Sequence, residues 1–220
     1  RSLVKVDKGI PLTEVALFGC AVLTGVGAVV NTAKVQVGQS VVIIGLGGVG
    51  LAALLGALGA GAATVVAVDL SEQKLALARE LGATAVINGR DEDAIERVRA
   101  LTGGGADFAF EFAGSARALE NAYKMTRRGG TTVTAGLPPP DATLPLNIVN
   151  LVAEERSVKG SYIGTCVPMR DVPRYIALFK AGRLPVDRLM SGLISLDDIN
   201  EGFDRLHHGE VVRLVVGFDI

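Results

Sequence analysis

Between residues 45 and 50 the sequence reads Gly45-Leu46-Gly47-Gly48-Val49-Gly50, directly behind the apolar run Val41 to Ile44. Glycines at these spacings, after a strand and at the head of a helix, can hold a phosphate. Gly45 allows a tight turn, Gly47 lets the backbone approach a pyrophosphate, and Gly50 lets the helix pack on the strand. Gly48 and Val49 open the helix, whose free N–H groups and positive dipole end face an anion. The second requirement is an acid about 20 residues on, at the end of the next strand. Asp69 lies 19 residues after Gly50, closing the run TVVAVD. Its carboxylate can accept from both adenosine ribose hydroxyls and repels a 2′-phosphate, so the pattern favours NAD over NADP. Lys74, one turn into the following segment, can reach the same ribose. Asp69 also admits a plainer reading, as a cap on the next helix.

The elements that must position these residues can be traced along the chain. Ser40–Gly45 reads as a strand, Gly48–Gly59 as a helix of small residues, and Thr64–Asp69 as a second strand. Ser71 is expected to cap a helix that stops at Gly82. Ala83–Ile87 is a third strand, and Asp91 opens a helix with an acidic start. Ala106–Phe112 is a fourth strand, Ala116–Met125 a helix, and Gly130–Gly136 a fifth strand. Pro138, Pro139 and Pro140 break the pattern. An apolar helix over Ile148–Ala153 and a sixth strand from Ser157 follow. Strands and helices alternating at roughly 20–30 residue spacing argue an α/β, doubly wound parallel sheet with right-handed crossovers. From Val167 the texture changes to a tail: a helix at Asp171–Ala181, a strand at Met190–Ile194, a helix at Leu196–His207 and a strand at Val211–Phe218.

Composition excludes several classes. The chain has 220 residues, 49% hydrophobic and 20% charged, with a net charge of -1, so it is expected to be globular. No basic stripe exists for nucleic acid, since Arg127-Arg128 is too short to make one. Mean hydropathy is +0.41. The apolar stretch Val41–Leu70 is broken by glycines and turns, so buried parallel strands explain it better than a membrane span. Two cysteines, Cys20 and Cys166, form no disulfide framework, and no signal-peptide pattern is visible. A reducing, cytoplasmic location is expected. No G-x-S-x-G elbow or Tyr-x-x-x-Lys pair supplies a hydrolase or short-chain reductase mechanism. Glu111, at the end of the fourth strand, could serve as an acid, but such a carboxylate more often binds loop backbone. The Asp91–Glu96 charges read as a solvated helix face.

The stretches GCAVLTGVGAV, GQSVVIIGLGGVGL, VVAVDLSEQK, KGSYIG and INEGFDRLHHGEVVRLVVGF, in this order, resemble medium-chain, zinc-dependent alcohol dehydrogenases. The branch is the liver-type and glutathione-dependent formaldehyde dehydrogenase group. The resemblance covers the C-terminal three-fifths or so of such an enzyme. It implies a six-stranded Rossmann nucleotide domain over residues 22–162, with residues 1–21 and 163–220 belonging to an incomplete catalytic domain. It also implies NAD as cofactor, zinc in the intact enzyme, a small-molecule alcohol or aldehyde substrate, and a homodimer contact near Ile148–Ser161.

Residue by residue, the resemblance makes Cys20 a catalytic zinc ligand. Read alone, that cysteine is a buried small hydrophobe. Thr24 matches the residue packed against the nicotinamide. Ala135, Ser161 and Ile163 match positions whose backbone holds the carboxamide. Arg213 matches a pyrophosphate-binding arginine, and its plainer reading is an exposed strand charge. The remaining zinc ligands and the proton-relay hydroxyl of the family have no counterpart in these residues. Adjacent His207 and His208 do not share a helix face and do not substitute for them, and Cys166 reads as structural. The chain begins at Arg1 and RSLVKVDKGIPL has no evident apolar partner, so a piece of a longer chain, inactive by itself, is expected. The implied reaction is zinc-assisted oxidation of an alcohol, with hydride passing to the nicotinamide beside Thr24. Two other readings stand beside it: a free-standing NAD-binding module, and a zinc-free quinone-reductase relative. The second has no use for Cys20, and Asp69 disfavours its usual NADPH.

Overall fold

Val41, Val42 and Ile43 are completely buried and Ile44 nearly so, which is the burial of a strand covered on both faces. They form β1 (Ser40–Ile44), at the centre of the sheet in this computed structural model, which describes residues 3–218. Arg1, Ser2, Asp219 and Ile220, at the outer ends of the expected first and last segments, lie outside the described residues. Beside β1 run β2 (Thr64–Asp69), β3 (Ala85–Asn88), β4 (Ala106–Glu111), β5 (Thr126–Thr134) and β6 (Ser157–Gly160). Every pairing is parallel and the order is β3-β2-β1-β4-β5-β6. The order reverses between β1 and β4, so the crevice outside their carboxyl ends is the switch point where such sheets take ligands.

Helices cover both faces of the sheet. In chain order the described helices are α1 (Leu12–Val15), α2 (Ala21–Gly27), α3 (Gly48–Gly59), α4 (Glu72–Glu80), α5 (Ala94–Leu101), α6 (Ala116–Met125), α7 (Ile148–Ala153), α8 (Pro168–Lys180) and α9 (Ile199–His207). The larger core packs α2, α3 and α8 against β1 and β2. The smaller one packs α5 and α6 against the other face. A two-stranded parallel sheet, β7 (Gly192–Ile194) with β8 (Leu214–Val216), carries the tail.

The six-stranded doubly wound sheet is as the sequence implies, and α3, β2, α6 and α7 have the expected bounds. Several details differ. Ser71 precedes α4 but its side chain makes no capping bond. Asp91–Asp93 form a turn, and α5 begins only at Ala94, because the Ala94 N–H bonds the Asp91 carbonyl in a tighter loop. Strand β5 starts at Thr126, immediately after α6, where its ladder to β4 shifts register. The Thr126 hydroxyl supports this abrupt junction by donating to the Ala122 carbonyl at 2.8 Å. Helix α8 starts at Pro168, a residue suited to the first helical position.

Residues 12–33 hold helical structure that the sequence pattern does not delimit. After α2 the chain continues as a widened π-helical segment, Ala28–Ala33, ending at Lys34 in a left-handed conformation. Such segments often occur at functional sites. Among the described residues no single helix is long and apolar enough to cross a membrane. Leu12–Gly19 and Ala21–Ala33 reach that length only together, with a 52° bend between them.

Candidate functional site

The glycine turn joins β1 to α3, and its geometry explains two of its glycines. Gly45 has φ +89, and a Cβ there would stand 2.7 Å from the Ala113 nitrogen. A Cβ on Gly50 would overlap the Gly45 carbonyl oxygen, so only glycine lets the helix start this close to the strand. Gly47, the residue before the helix, faces open space: nothing lies within 4 Å of where its Cβ would be. The turn thus leaves a cradle at the N-terminus of α3, where Gly48 and Val49 place free N–H groups.

Asp69 ends β2 beside this turn. Its Oδ2 accepts the Leu46 N–H at 2.6 Å and its Oδ1 accepts the Ser71 N–H at 2.9 Å. The acid therefore fixes the turn and the entry to α4, and each oxygen keeps a free lone pair. The plainer capping reading is thus part of its role. Asp69 borders a groove of about 1010 Å³ that also takes in Lys74, Arg90, Arg117, His207 and His208. Lys74 Nζ lies 3.6 Å from a Cβ built on Gly209, so the end of α9 closes over the lysine. Arg90, Arg117 and the two histidines were not among the expected site residues. Arg90 follows the end of β3, a position the strand pattern marks. The histidines reach the groove through the packing of the tail, which no local signal carries.

Arg213, just before β8, lies along the turn: its Cδ is 3.4 Å from a Cβ built on Gly48. Cys20 and Ala21 sit at the same end of α3, since Ala21 Cβ is 3.6 Å from that point. Helix α2 comes this close because Gly25 lies against α3, where a Cβ would overlap the Val49 carbonyl. Thr24 is carried on the same helix and donates its N–H to the Cys20 carbonyl at 2.9 Å. Cys20 is exposed, which removes the reading of a buried small hydrophobe.

Ala135 and Ser161 leave the sheet side by side, because Thr134 pairs with Gly160. The Ala135 N–H donates to the Glu111 carbonyl at 3.0 Å, and the Ser161 N–H to the Thr134 carbonyl at 2.8 Å. Ile163 follows in a left-handed turn: Ile163, Gly164 and Thr165 have φ of +49, +62 and +53. For branched residues that conformation costs about 1–2 kcal/mol each. The turn packs under α2, where a Cβ on Gly164 would stand 2.8 Å from the Thr24 carbonyl oxygen.

Glu111 is 1% exposed and binds loop backbone, as its position suggests. Its Oε1 accepts the Gly114 and Ser115 N–H groups at 2.5 and 3.3 Å, and its Oε2 accepts the Thr134 hydroxyl at 2.6 Å. Cys166 is half-buried. Its Sγ donates to the Leu23 carbonyl at 3.3 Å and accepts from Asn31 Nδ2 at 3.3 Å. Burial pushes its thiol pKa up, which suits a structural cysteine.

The residues fit the two expected groups unequally. The open cradle before Gly48, the Asp69 carboxylate and the groove beyond it fit a dinucleotide. A catalytic zinc takes three protein ligands. Among the described residues no three His, Cys, Asp or Glu side chains gather in a way that could hold a metal. Cys20 is a single donor, so the donor set of the described residues does not by itself fit zinc.

Comparison with known proteins agrees with the geometry. Residues 48–181 match the sequence model of the zinc-binding dehydrogenase family. The chain is 36% identical over 223 residues to S-(hydroxymethyl)glutathione dehydrogenase of Paracoccus denitrificans, covering 98% of this chain and 59% of that protein. Benzyl alcohol dehydrogenase from Acinetobacter calcoaceticus superposes with a TM-score of 0.94 at 32% identity, over 97% of this chain and 59% of that one. An alcohol dehydrogenase zinc-binding domain protein from Burkholderia ambifaria gives 0.95 at 33% identity, over 99% and 58%. The chain thus spans about three-fifths of the length of these relatives. The family model matches more than half of the chain, and the chain belongs to the zinc-binding dehydrogenase family.

Proposed function

We propose that this chain binds NAD and serves hydride transfer between NAD and a small-molecule alcohol or aldehyde. The observation that carries the reading is the glycine turn at the switch point, tied at Leu46 to the Asp69 carboxylate. In this reading residues 22–162 are the nucleotide-binding unit, and residues 1–21 and 163–220 contribute to a second, catalytic one.

The chain's own residues divide the work. The N–H groups around Gly47, Gly48 and Val49 and the Arg213 guanidinium take the pyrophosphate. Asp69 and Lys74 take the adenosine ribose, and the negative charge of Asp69 excludes a 2′-phosphate. Thr24 packs against the nicotinamide, while the backbone of Ala135, Ser161 and Ile163 holds its carboxamide and fixes which ring face is presented. Bound NAD supplies the hydride acceptor. Cys20, exposed at the same end of α3, is proposed as one thiolate donor toward zinc, with no further donors gathered beside it among the described residues.

Two of the relatives are named for alcohol-type substrates, which supports that substrate class without choosing a member. A homodimer is proposed through α7, where Ile148, Val149 and Val152 are 73%, 71% and 71% exposed and form an apolar face. The cytoplasm is the proposed location. The single donor at Cys20 favours a second reading, an NAD-binding module without chemistry. One experiment separates the two. In the protein from its source cell, Cys20→Ala should abolish NAD-dependent alcohol oxidation while NADH still binds. Retained turnover in that variant contradicts the role of Cys20, and absence of any such turnover in the unaltered protein favours the binding module.

A further inference from the structure

Near its end the π-helical segment that follows α2 carries two polar residues, Asn31 and Thr32, and both turn toward the left-handed turn Ile163–Thr165. Thr32 Oγ1 shares hydrogen bonds with the Ser161 hydroxyl at 2.8 Å and the Thr165 hydroxyl at 2.7 Å. Asn31 Nδ2 donates to the Gly164 carbonyl at 3.4 Å and to Cys166 Sγ at 3.3 Å. One residue thus bridges both sides of the turn, and its neighbour holds the turn's centre.

The turn needs holding. Ile163 and Thr165 are branched residues in a left-handed conformation, which persists only where surrounding contacts over-determine it. Two local bonds close it: the Thr165 N–H donates to the Tyr162 carbonyl at 3.0 Å and the Cys166 N–H to the Ile163 carbonyl at 3.1 Å. The longer-range side-chain bonds to residues 161–165 come from Asn31 and Thr32. The π-helical geometry accounts for this. The Lys34 N–H bonds the Val29 carbonyl, and the extra residue per turn rotates Asn31 and Thr32 away from a regular helical position.

We propose that Thr32, assisted by Asn31, is a positioning residue that sets the backbone of Ser161 and Ile163 for the nicotinamide carboxamide. This rests on the NAD reading above. Thr32 touches no cofactor atom in this account; it acts through Ser161 and the turn. Its loss therefore weakens the hold on the nicotinamide half and spares the adenosine half.

The test compares two ligands, NADH and ADP-ribose, which lacks the nicotinamide. Dissociation constants are measured for the unaltered protein, Thr32→Val and Thr32→Ser. Thr32→Val should raise the NADH constant roughly tenfold, as expected for two lost hydrogen bonds, and leave the ADP-ribose constant unchanged. Thr32→Ser, which keeps the hydroxyl, should restore the NADH value. Should Thr32→Val fail to fold, Thr165→Ala at an exposed position should show the same preference for loss of NADH, to a smaller extent. Equal weakening of both ligands, or no change in either, overturns the proposal while leaving the NAD reading intact. If the unaltered protein binds neither ligand, both readings fall.

Discussion

Leu46 donates its backbone N–H to Oδ2 of Asp69 at 2.6 Å, across the gap between the ends of β1 and β2. Leu46 is completely buried, so this carboxylate is the partner of an N–H that water does not reach. The acid proposed to select the ribose is thus also a support of the glycine turn. Removing it should lower stability as well as affinity.

Asp69→Ala leaves the Leu46 N–H without its acceptor, at a cost of about 1–3 kcal/mol. Urea denaturation should show that loss without ligand present, and NADH titration should show weakening of at least about tenfold. An acid that touched only the ribose would leave the stability of the ligand-free protein unchanged.

Gly47 and Gly50 should respond differently to alanine. At Gly50 a Cβ would overlap the Gly45 carbonyl oxygen, and overpacking of this kind costs about 1–3 kcal/mol. For a chain of this size the Tm should fall by roughly 2–12 °C. At Gly47 nothing lies within 4 Å, so the ligand-free Tm should hold. NADH affinity should fall there instead, because the new methyl occupies the cradle. Calorimetry and titration on the two variants read these effects separately.

Arg213 lies along Gly48, and the pyrophosphate reading requires its guanidinium rather than its stem. Arg213→Met keeps the stem. It should weaken NADH binding by about tenfold or more, the worth of one charge-assisted bond, and leave binding of adenosine unchanged. An exposed strand charge with no ligand would leave NADH binding unchanged as well.

Acid should destabilise the fold through Asp107 and Asp171. The bidentate Arg170 guanidinium, at 2.7 and 2.8 Å, and then the Val167 N–H hold Asp171 below the usual carboxylate range, against the opposing effect of burial. For Asp107 burial pulls upward, but the Ser40 N–H and hydroxyl and Arg127 outweigh it and the net direction is down. Both folded values lie below the unfolded value of about 3.9, so the unfolded chain binds more protons in that window. Their contribution is present above the unfolded value and is lost as pH falls through the folded ones. Urea midpoints taken from pH 6 down to pH 2.5 should therefore decline below about pH 4. The double variant Asp107→Asn, Asp171→Asn should start lower at pH 6 and decline less steeply.

The sheet and its glycine turn were legible because local chemistry dictates them. VVII, TVVAVD and the glycine spacing each state strand, edge and turn without reference to distant residues. The bounds of α3, β2, α6 and α7 follow from such signals. The missing parts depend on contacts remote in sequence. The helical run 12–33 is small and apolar, and its π-helical end bonds through Asn31 and Thr32 to residues about 130 positions away. The left-handed turn at Ile163–Thr165 runs against the preference of its own branched residues. His207 and His208 reach the groove only because the tail folds back over Lys74. Glycine signals were legible at Gly45 and Gly50. At Gly25 and Gly164 the need for glycine arises from packing against another element.

The central claim is that the groove bordered by Asp69 binds NAD in preference to NADP. The most direct measurement is a pair of fluorescence titrations on the same preparation, one with NADH and one with NADPH. The account predicts saturable NADH binding, at least about tenfold tighter than NADPH because the Asp69 carboxylate repels the 2′-phosphate. Equal affinity, tighter binding of NADPH, or no binding of either nucleotide would contradict it.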